Sequence, residues 1–558
     1  MKTQLLSKAN ILIFLFFTCK IFSQWASNST VNNAICSTIG TQFQSVQISD
    51  GNGGSIIAWS DNRSGNFDIY AQHINANGIL QWTTNGKPIC SATGGQRFPA
   101  IISDNQNGAI ICWTDERNFS VSGSDIYAQR ISATGVVLWT SDGVAICSAT
   151  NAQQNNSLTS LTSNANGGAI IVWEDRRNGL DWNIYSQSIN NLGATQWTLD
   201  GNVVCNAPLT QKNAEIISAE SGNSIIVWED SRVAIATYDI YALKLNSIGA
   251  TGTPNGVAVC SAADNQLEPK LVTDGNFGAI ITWQDRRNSA NYDIYAQRFT
   301  TAGIAWAIDG VAICTSNGDQ ALPKICSDAA NGAYIVWDDD RAASSDIYVQ
   351  KVNANGTTLS GTNGSSIIST AQNQIAPSIT SDDSGGAIVC WTDYRNNAAS
   401  ADIYCQRLNN SGFADWNGNI IIGGVAVCTE ASDQSFATSV ITTGIGGAIV
   451  TWQDSRNSGT NLQDIYSQLI NSSGTLTTKI NSLETNQLVV YPNPSTNGLF
   501  SIQSKNEVQE IKAFDVSGKQ INIERINESF KINASSGIYS LKITDADGII
   551  QNKKLIIK

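Results

Sequence analysis

GAIITWQDRRNSANYDIYAQRF, residues Gly278 to Phe299, decides how this chain folds. Gly278 to Trp283 is a nearly continuous apolar run, as a strand buried on both faces should be. Gln284 to Tyr292 reads as a loop, and Asp293 to Phe299 alternates like a half-exposed strand. The same pattern, Trp-x-Asp-x-Arg, a short variable gap, then Asp-Ile-Tyr, begins at Trp59, Trp113, Trp173, Trp228, Trp283, Trp337, Trp391 and Trp452. Only the third unit departs from it, with Asn183 as the closing acid's replacement. A fixed period of 54 to 61 residues in a strand-forming sequence signals a solenoid or a propeller.

Working outward, Glu268 to Thr273 adds a strand before the quoted stretch, with a turn at Asp274-Gly275-Asn276. Trp306 to Cys314 adds a fourth strand after it. Four short strands per unit, joined by hairpin-like Asn/Gly turns, describe propeller blades rather than a parallel β-helix. The ends of the array agree. A fourth-strand signature, Trp25 to Cys36, precedes the first unit, and none follows the eighth beyond Gly474. The expected fold is therefore all-β: an eight-bladed propeller closed by an N-terminal strand over 24–475. Closure removes free sheet edges. It also makes the strand after each Cys innermost and the Trp…Cys strand outermost.

Two further positions recur. Gln42, Gln96, Gln153, Gln211, Gln266, Gln320, Gln374 and Gln434 occupy one slot in all eight units. A residue identical in every unit is read as structural, here a side-chain bond tying the loop between blades to the next blade. Cys36, Cys90, Cys147, Cys205, Cys260, Cys314 and Cys428 share another slot, with Ile368 as the eighth occupant. The isoleucine marks that slot as buried and apolar, so buried thiols are expected there. Cys112, Cys326, Cys390 and Cys405 suggest no pairing.

The Trp-x-Asp-x-Arg…Asp-Ile-Tyr set is read as scaffold. Each buried Trp removes ~150–250 Å² from water, on the order of 4–6 kcal/mol gross at ~25 cal/mol per Å². The Asp accepts loop N–H groups and the Arg grips it bidentately. Treated as an exposed pair, these two contribute only ~0–1 kcal/mol. Function is sought where the units differ. Just before the closing acid stand Phe67, Trp182, Tyr238 and Tyr292 in four units, and Ser124, Ser345, Ala401 and Gln463 in the others. The four aromatics are the candidate ligand-binding residues, able to stack a sugar or grip a protein. The connection at Ala414 to Gly424 is also enlarged.

The chain has 558 residues, a net charge of −13, one Met and one His. An acidic surface repels phosphate backbones, so no nucleic-acid partner is expected. The only histidine, His73, occupies a slot held elsewhere by Arg130, Arg298 and Arg407 and is read as a surface residue. No catalytic triad, zinc motif, Walker loop or calcium loop appears, and the sialidase Asp-box, WD40 and kelch signatures are absent. No catalytic residue, metal or cofactor is assigned. The alternative is a glycoside-hydrolase-like enzyme using two unassigned carboxylates.

At the N-terminus, Lys2 and Lys8 precede the apolar run Ile11 to Thr18, and Ser23 suits a cleavage site. Residues 1–23 read as a signal peptide, too short to span a bilayer. Thr18 before Cys19 does not fit a lipobox. No later segment reaches transmembrane length. A polar linker, 476–485, precedes a change of composition.

Residues 486–558 hold about seven short strands with Gly and Asn turns, hence a small Ig-like β-sandwich. They contain Tyr491-Pro492-Asn493-Pro494, then Gly518-Lys519, then Gly537 and Tyr539 two residues on, and a basic terminus. In these elements the segment resembles the C-terminal sorting domain of type IX secretion in the Bacteroidetes. The resemblance implies passage through the type IX translocon, then release or attachment to surface lipopolysaccharide. It gives a secreted or outer-surface address and no activity. The expected function is non-catalytic binding or adhesion to an extracellular glycan or protein.

Overall fold

The computed structural model describes residues 24–557 except 152, 154–159, 165, 220, 221, 417–422, 435–438, 445, 460, 461, 477–488, 492, 494, 504–507, 516–518, 527, 528 and 546–549. The signal-peptide segment, linker residues 477–485, Pro492, Pro494 and Gly518 thus lie outside the described residues. The chain divides into two compact units, Met1–Ile480 and Asn481–Lys558.

Among its described residues the first unit is built of strands, with one α-helical turn at Phe119–Ser122. Its eight antiparallel sheets each take a repeat. The fifth runs Gln266–Thr273, Ala279–Asp285, Asp293–Thr300 and Val311–Cys314 in spatial order, with a two-residue strand, Gly303–Ile304, beside the third. The second strand extends past Trp283 to Asp285, two residues into the segment read as loop, because it pairs through Asp285↔Asp293. All seven of its residues are buried. The first strands of successive sheets touch one another in order, and that of the eighth sheet, Ser439–Thr442, touches Gln42–Ser49 of the first. They therefore surround an axis.

The eighth sheet takes its outermost strand from the N-terminus. Asn33–Cys36 pairs with Asp464–Ile470 through Ala34↔Tyr466. On the inner side, Gln47 Nε2 donates to Ser439 O at 2.7 Å, and Thr451 Oγ1 donates to Gln47 Oε1 at 2.9 Å.

The repeated motif is a clamp between neighbouring sheets. In all eight units the Trp Nε1–H donates to the motif Asp, at 2.7–2.9 Å. In the fifth sheet Arg287 holds Asp285 through Nε at 2.9 Å and Nη2 at 2.6 Å. Its Nη2 also donates to Asp309 O at 2.8 Å and to Cys260 Sγ at 3.2 Å. Cys260 belongs to the outer strand of the fourth sheet, so the contact crosses the junction. Seven junctions carry this Arg–Cys contact, at 3.1–3.3 Å. Ile368 replaces the thiol at the junction of sheets six and seven. Each guanidinium carbon sits 3.7–3.9 Å above the Asp-Ile-Tyr ring.

The Asp–Arg pairs are therefore not exposed, as the sequence suggested. The Asp side chains are fully buried, because Trp covers one side and the neighbouring sheet the other. A second lock lies at the opposite end of the sheets. Trp25, Trp82, Trp139 and Trp306 donate Nε1–H to a turn carbonyl of the next sheet at 3.0–3.1 Å. Gly78 forms the first such turn at φ +77°, and a Cβ there would meet the Trp25 backbone nitrogen at 2.4 Å.

The slot thiols are all buried, as Ile368 implied. Burial pushes Cys36, Cys90, Cys205 and Cys428 up to about 12. Cys390 and Cys405, left unpaired by the sequence reading, form a disulfide between facing strand positions of the seventh sheet. His73 is not a surface residue. Its Nε2 lies 2.8 Å from Asp50 Oδ2 and its side chain is only 12% exposed, because the Arg130, Arg298 and Arg407 slot pairs with a turn Asp in every case.

Among its described residues the second unit has eight strands in two four-stranded sheets around one core that includes Phe500, Phe530, Tyr539, Leu541 and Leu555.

Two outcomes follow from the clamp. Asp285→Ala leaves Arg287 and the Trp283 N–H without their acceptor and should cost about 3–5 kcal/mol, read by denaturant unfolding. A thiol reagent should modify none of the seven slot cysteines in the folded chain and all seven after unfolding.

Candidate functional site

In six of the eight sheets the first strand begins with the invariant Gln, and two residues later the backbone turns left-handed. Gln44, Phe98, Asn213, Glu268, Leu322 and Ala376 have φ between +53° and +56°. For an L-residue this conformation costs roughly 1–2 kcal/mol. The pairing skips at the same place: Leu267 faces Gln284 and Lys270 faces Thr282, so a bulge is present.

Side chains from the preceding sheet hold several of these bulges. The bulge N–H of Asn213 donates to Glu174 Oε1 at 2.7 Å, and that of Glu268 to Glu229 Oε1 at 2.8 Å. Leu322 donates to Gln284 Oε1 at 3.0 Å and Ala376 to Asp338 Oδ1 at 3.1 Å. These acceptors occupy the variable position of Trp-x-Asp. The Gln slot works as the sequence suggested. Gln266 Nε2 donates to Ala263 O and Asp264 O of the loop between sheets. In addition the backbone N–H of this slot commonly reaches the previous sheet, as from Gln96 to Phe67 O at 2.7 Å and from Gln211 to Trp182 O at 2.8 Å.

Beyond the bulge, residues four and five after the Gln in sheets four to seven, with Ser439 and Val440 of sheet eight, line a cavity of about 250 Å³. The first strands of sheets four to eight all contribute, so it lies on the axis. The fourth position is Glu215, Lys270 and Lys324 in sheets four to six, but Val46, Ala100 and Ser378 in sheets one, two and seven. Charge is thus confined to one sector of the ring. Lys270 forms an ion pair with Glu215, and Lys212 Nζ lies 3.3 Å from Glu229 Oε2. Asn213 Nδ2 donates to Glu229 Oε1 at 2.8 Å.

Burial pushes Asp338 up to about 7, and the Ala376 N–H offsets only part of that. Burial likewise raises Glu229, against the pull of Lys212. Burial disfavours the Lys270 charge, yet Glu215 more than offsets it and its pKa is raised. Lys324 is lowered by burial and then by Lys270.

Phe67, Trp182, Tyr238 and Tyr292 are all half-buried at the same end of the sheets as the bulges. Phe67 packs edge-on against Phe43 at 4.7 Å, with Arg97 at 4.5 Å over its ring. Lys212 lies 4.2 Å from the Tyr238 ring, which ties this aromatic to the ionic cluster. Arg176 and Arg286 approach Trp182 and Tyr292 at 5.9 and 5.7 Å. None of the four rings stacks on another of the four. Trp182, Tyr238 and Tyr292 belong to sheets three, four and five, whereas Phe67 belongs to sheet one. The sequence reading missed the axial cluster, whose signal was available: divergence four residues after an invariant Gln. Among the described residues no three His, Cys, Asp or Glu side chains are grouped to hold a metal.

In the second unit, Asn493 Oδ1 accepts the Ile556 N–H at 2.9 Å, and the buried Tyr539 donates to Ser535 O at 2.6 Å. Tyr491 is half-exposed, Lys519 is exposed with its N–H on Asp515 Oδ1 at 3.0 Å, and Gly537 opens the strand Gly537–Asp545. Residues 489–558 match the family described as a secretion system C-terminal sorting domain. The tail is a type IX sorting domain, which marks a secreted or cell-surface protein. No helix among the described residues is long and apolar enough to cross a membrane.

No curated protein matches the sequence. Solved structures similar to the chain include a polysaccharide lyase, ulvan lyase, bound to -[GlcA(1-4)Rha3S]-. It is 12% identical with a TM-score of 0.39, covering 81% of this chain and 96% of its own. Another is an α-L-arabinanase of Penicillium chrysogenum complexed with arabinobiose, 11% identical with a TM-score of 0.35, covering 81% and 100%. A third is a fungal alcohol oxidase in complex with copper, 8% identical with a TM-score of 0.39, covering 83% and 97%. Likeness at this level carries no argument for a shared ligand or activity.

The raised Asp338 carboxyl has a defined sign. Folded Asp338 releases its proton near pH 7 and unfolded Asp338 near its usual 3.8, so its contribution to stability falls as pH rises between them. Asp338→Asn should therefore gain stability relative to the parent as pH rises from about 4 to about 7, measured by unfolding at each pH.

Proposed function

We propose that this chain is an exported eight-bladed β-propeller, closed by its N-terminal strand and followed by an Ig-like sorting domain, which binds an extracellular glycan without cleaving it. The division of labour along the repeat carries this reading. The clamp residues are the same in nearly every unit, while the axial positions differ, and their charges gather in sheets four to six. Trp182, Tyr238 and Tyr292 border that sector at the same end, offering flat apolar faces beside polar and charged groups. Phe67, enclosed by Phe43 and Arg97 in sheet one, is assigned to packing. Export would use residues 1–23, then the type IX translocon acting on the C-terminal domain, with release or attachment to surface lipopolysaccharide afterwards.

A polysaccharide-cleaving role finds one supporting observation, the carboxyl of Asp338 held near neutral pH. Asp338 nevertheless occupies the position of Gln284, and both accept a bulge N–H from the next sheet. An amide doing the same task argues that the task is structural.

Glycan-array binding by the purified chain, with released sugar assayed in the same samples, tests the reading. Binding without release is expected, and Trp182→Ala should weaken it about tenfold or more while leaving the unfolding midpoint nearly unchanged. Release of sugar would establish an enzyme instead. Absence of any glycan binding would overturn the glycan assignment in favour of a protein partner.

A further inference from the structure

Lys324 is the unbalanced charge of the axial cavity. Lys212 has Glu229 and Lys270 has Glu215, but among the described residues no hydrogen bond or ion pair neutralises Lys324. The charged groups that act on it are Lys270, a like charge, and Glu215, Glu268 and Asp338. Placing a cation where burial disfavours it is costly without a partner. The fold does not require it, since Val46, Ala100 and Ser378 fill the same position in other sheets. Ser378 of the neighbouring sheet lines the same cavity.

We propose that this cavity binds the carboxylate of a small acid, paired with Lys324 Nζ. The carboxylate belongs either to a free acid or to a terminal acidic sugar. This inference rests on the axial binding site proposed above and names the chemistry of its occupant. Size supports a small unit, because about 250 Å³ lies below the ~300–1,000 Å³ of sites that take drug-sized ligands. Lysine, a compact point charge, suits a carboxylate. Leu271 and Ile379 supply apolar wall beside it. Partial enclosure strengthens the attraction over its value in bulk water.

Calorimetric titration of the purified chain with D-glucuronate, L-lactate, D-glucose and inorganic sulfate tests the proposal. Binding of glucuronate or lactate with none of glucose is expected, and the tighter of the two acids identifies the source of the carboxylate. Lys324→Gln should weaken that binding at least tenfold, with Lys324→Arg retaining part of it. Should Lys324→Gln not fold, reductive methylation of the unaltered chain gives the same answer, because bound acid should protect Lys324 from the reagent. Sulfate binding as tightly as either acid would reduce the cavity to an unselective anion trap and overturn the proposal. So would no binding by either acid, or acid binding indifferent to Lys324. Neutral glycans captured on the array alongside such a failure would leave the axial binding role standing, whereas silence in both assays would remove both.

Discussion

A buried carboxylate shared between a tryptophan and an arginine holds the first unit together. In each repeat the motif Asp accepts the Trp indole N–H and an Arg side-chain N–H, and at seven of the eight junctions the Arg also reaches a thiol of the neighbouring sheet. Removed from water, such a carboxylate tolerates no vacant partner. The arrangement therefore fixes the distance and angle between sheets more strictly than apolar contact alone could. Because these contacts span two sheets, seven of the eight junctions are specified by both. The last junction can form only if Cys36 and the N-terminal strand return to meet Asp61 and Arg63.

A scaffold made so uniform leaves few places for variation. The bulge two residues after the Gln is one of them. It keeps the same left-handed backbone in every described repeat, held in several junctions by an acceptor from the preceding sheet. The side chains just beyond it then face a cavity on the axis, where their identity is free to change. Backbone strain that recurs beside a divergent, charged cavity is the pattern expected when a scaffold positions a site. The same reasoning separates Phe67 from Tyr238. The first completes a local stack, while the second shares Lys212 with the ionic cluster.

Much of this was legible in the residues, for identifiable reasons. The period, the strand order and the extra N-terminal strand all show in linear patterns. Ile368 betrayed the burial of the cysteine slot. The inter-sheet half of the clamp was hidden, because Cys260 lies 27 residues before Arg287 and only the fold brings the two together. The bulge was hidden too: Gln, Phe, Asn, Glu, Leu and Ala occupy it, so no glycine announces the left-handed turn. The disulfide follows from register, since Cys390 and Cys405 flank the Trp391↔Tyr404 pair. His73 was misplaced because its Arg equivalents were taken for surface charges, when each of them answers a turn carboxylate. The axial lysines were visible in the alignment of repeats, but loops drew attention away from the strand that lines the axis.

Amide hydrogen exchange, followed with and without saturating D-glucuronate, is the most direct test of a uniform ring carrying one divergent axial sector. The account predicts added protection in Gln266–Thr273 and Gln320–Ser327, with the turns at Gly78, Gly135 and Gly193 unchanged. Protection confined to those turns, or spread evenly over all eight sheets, would contradict it.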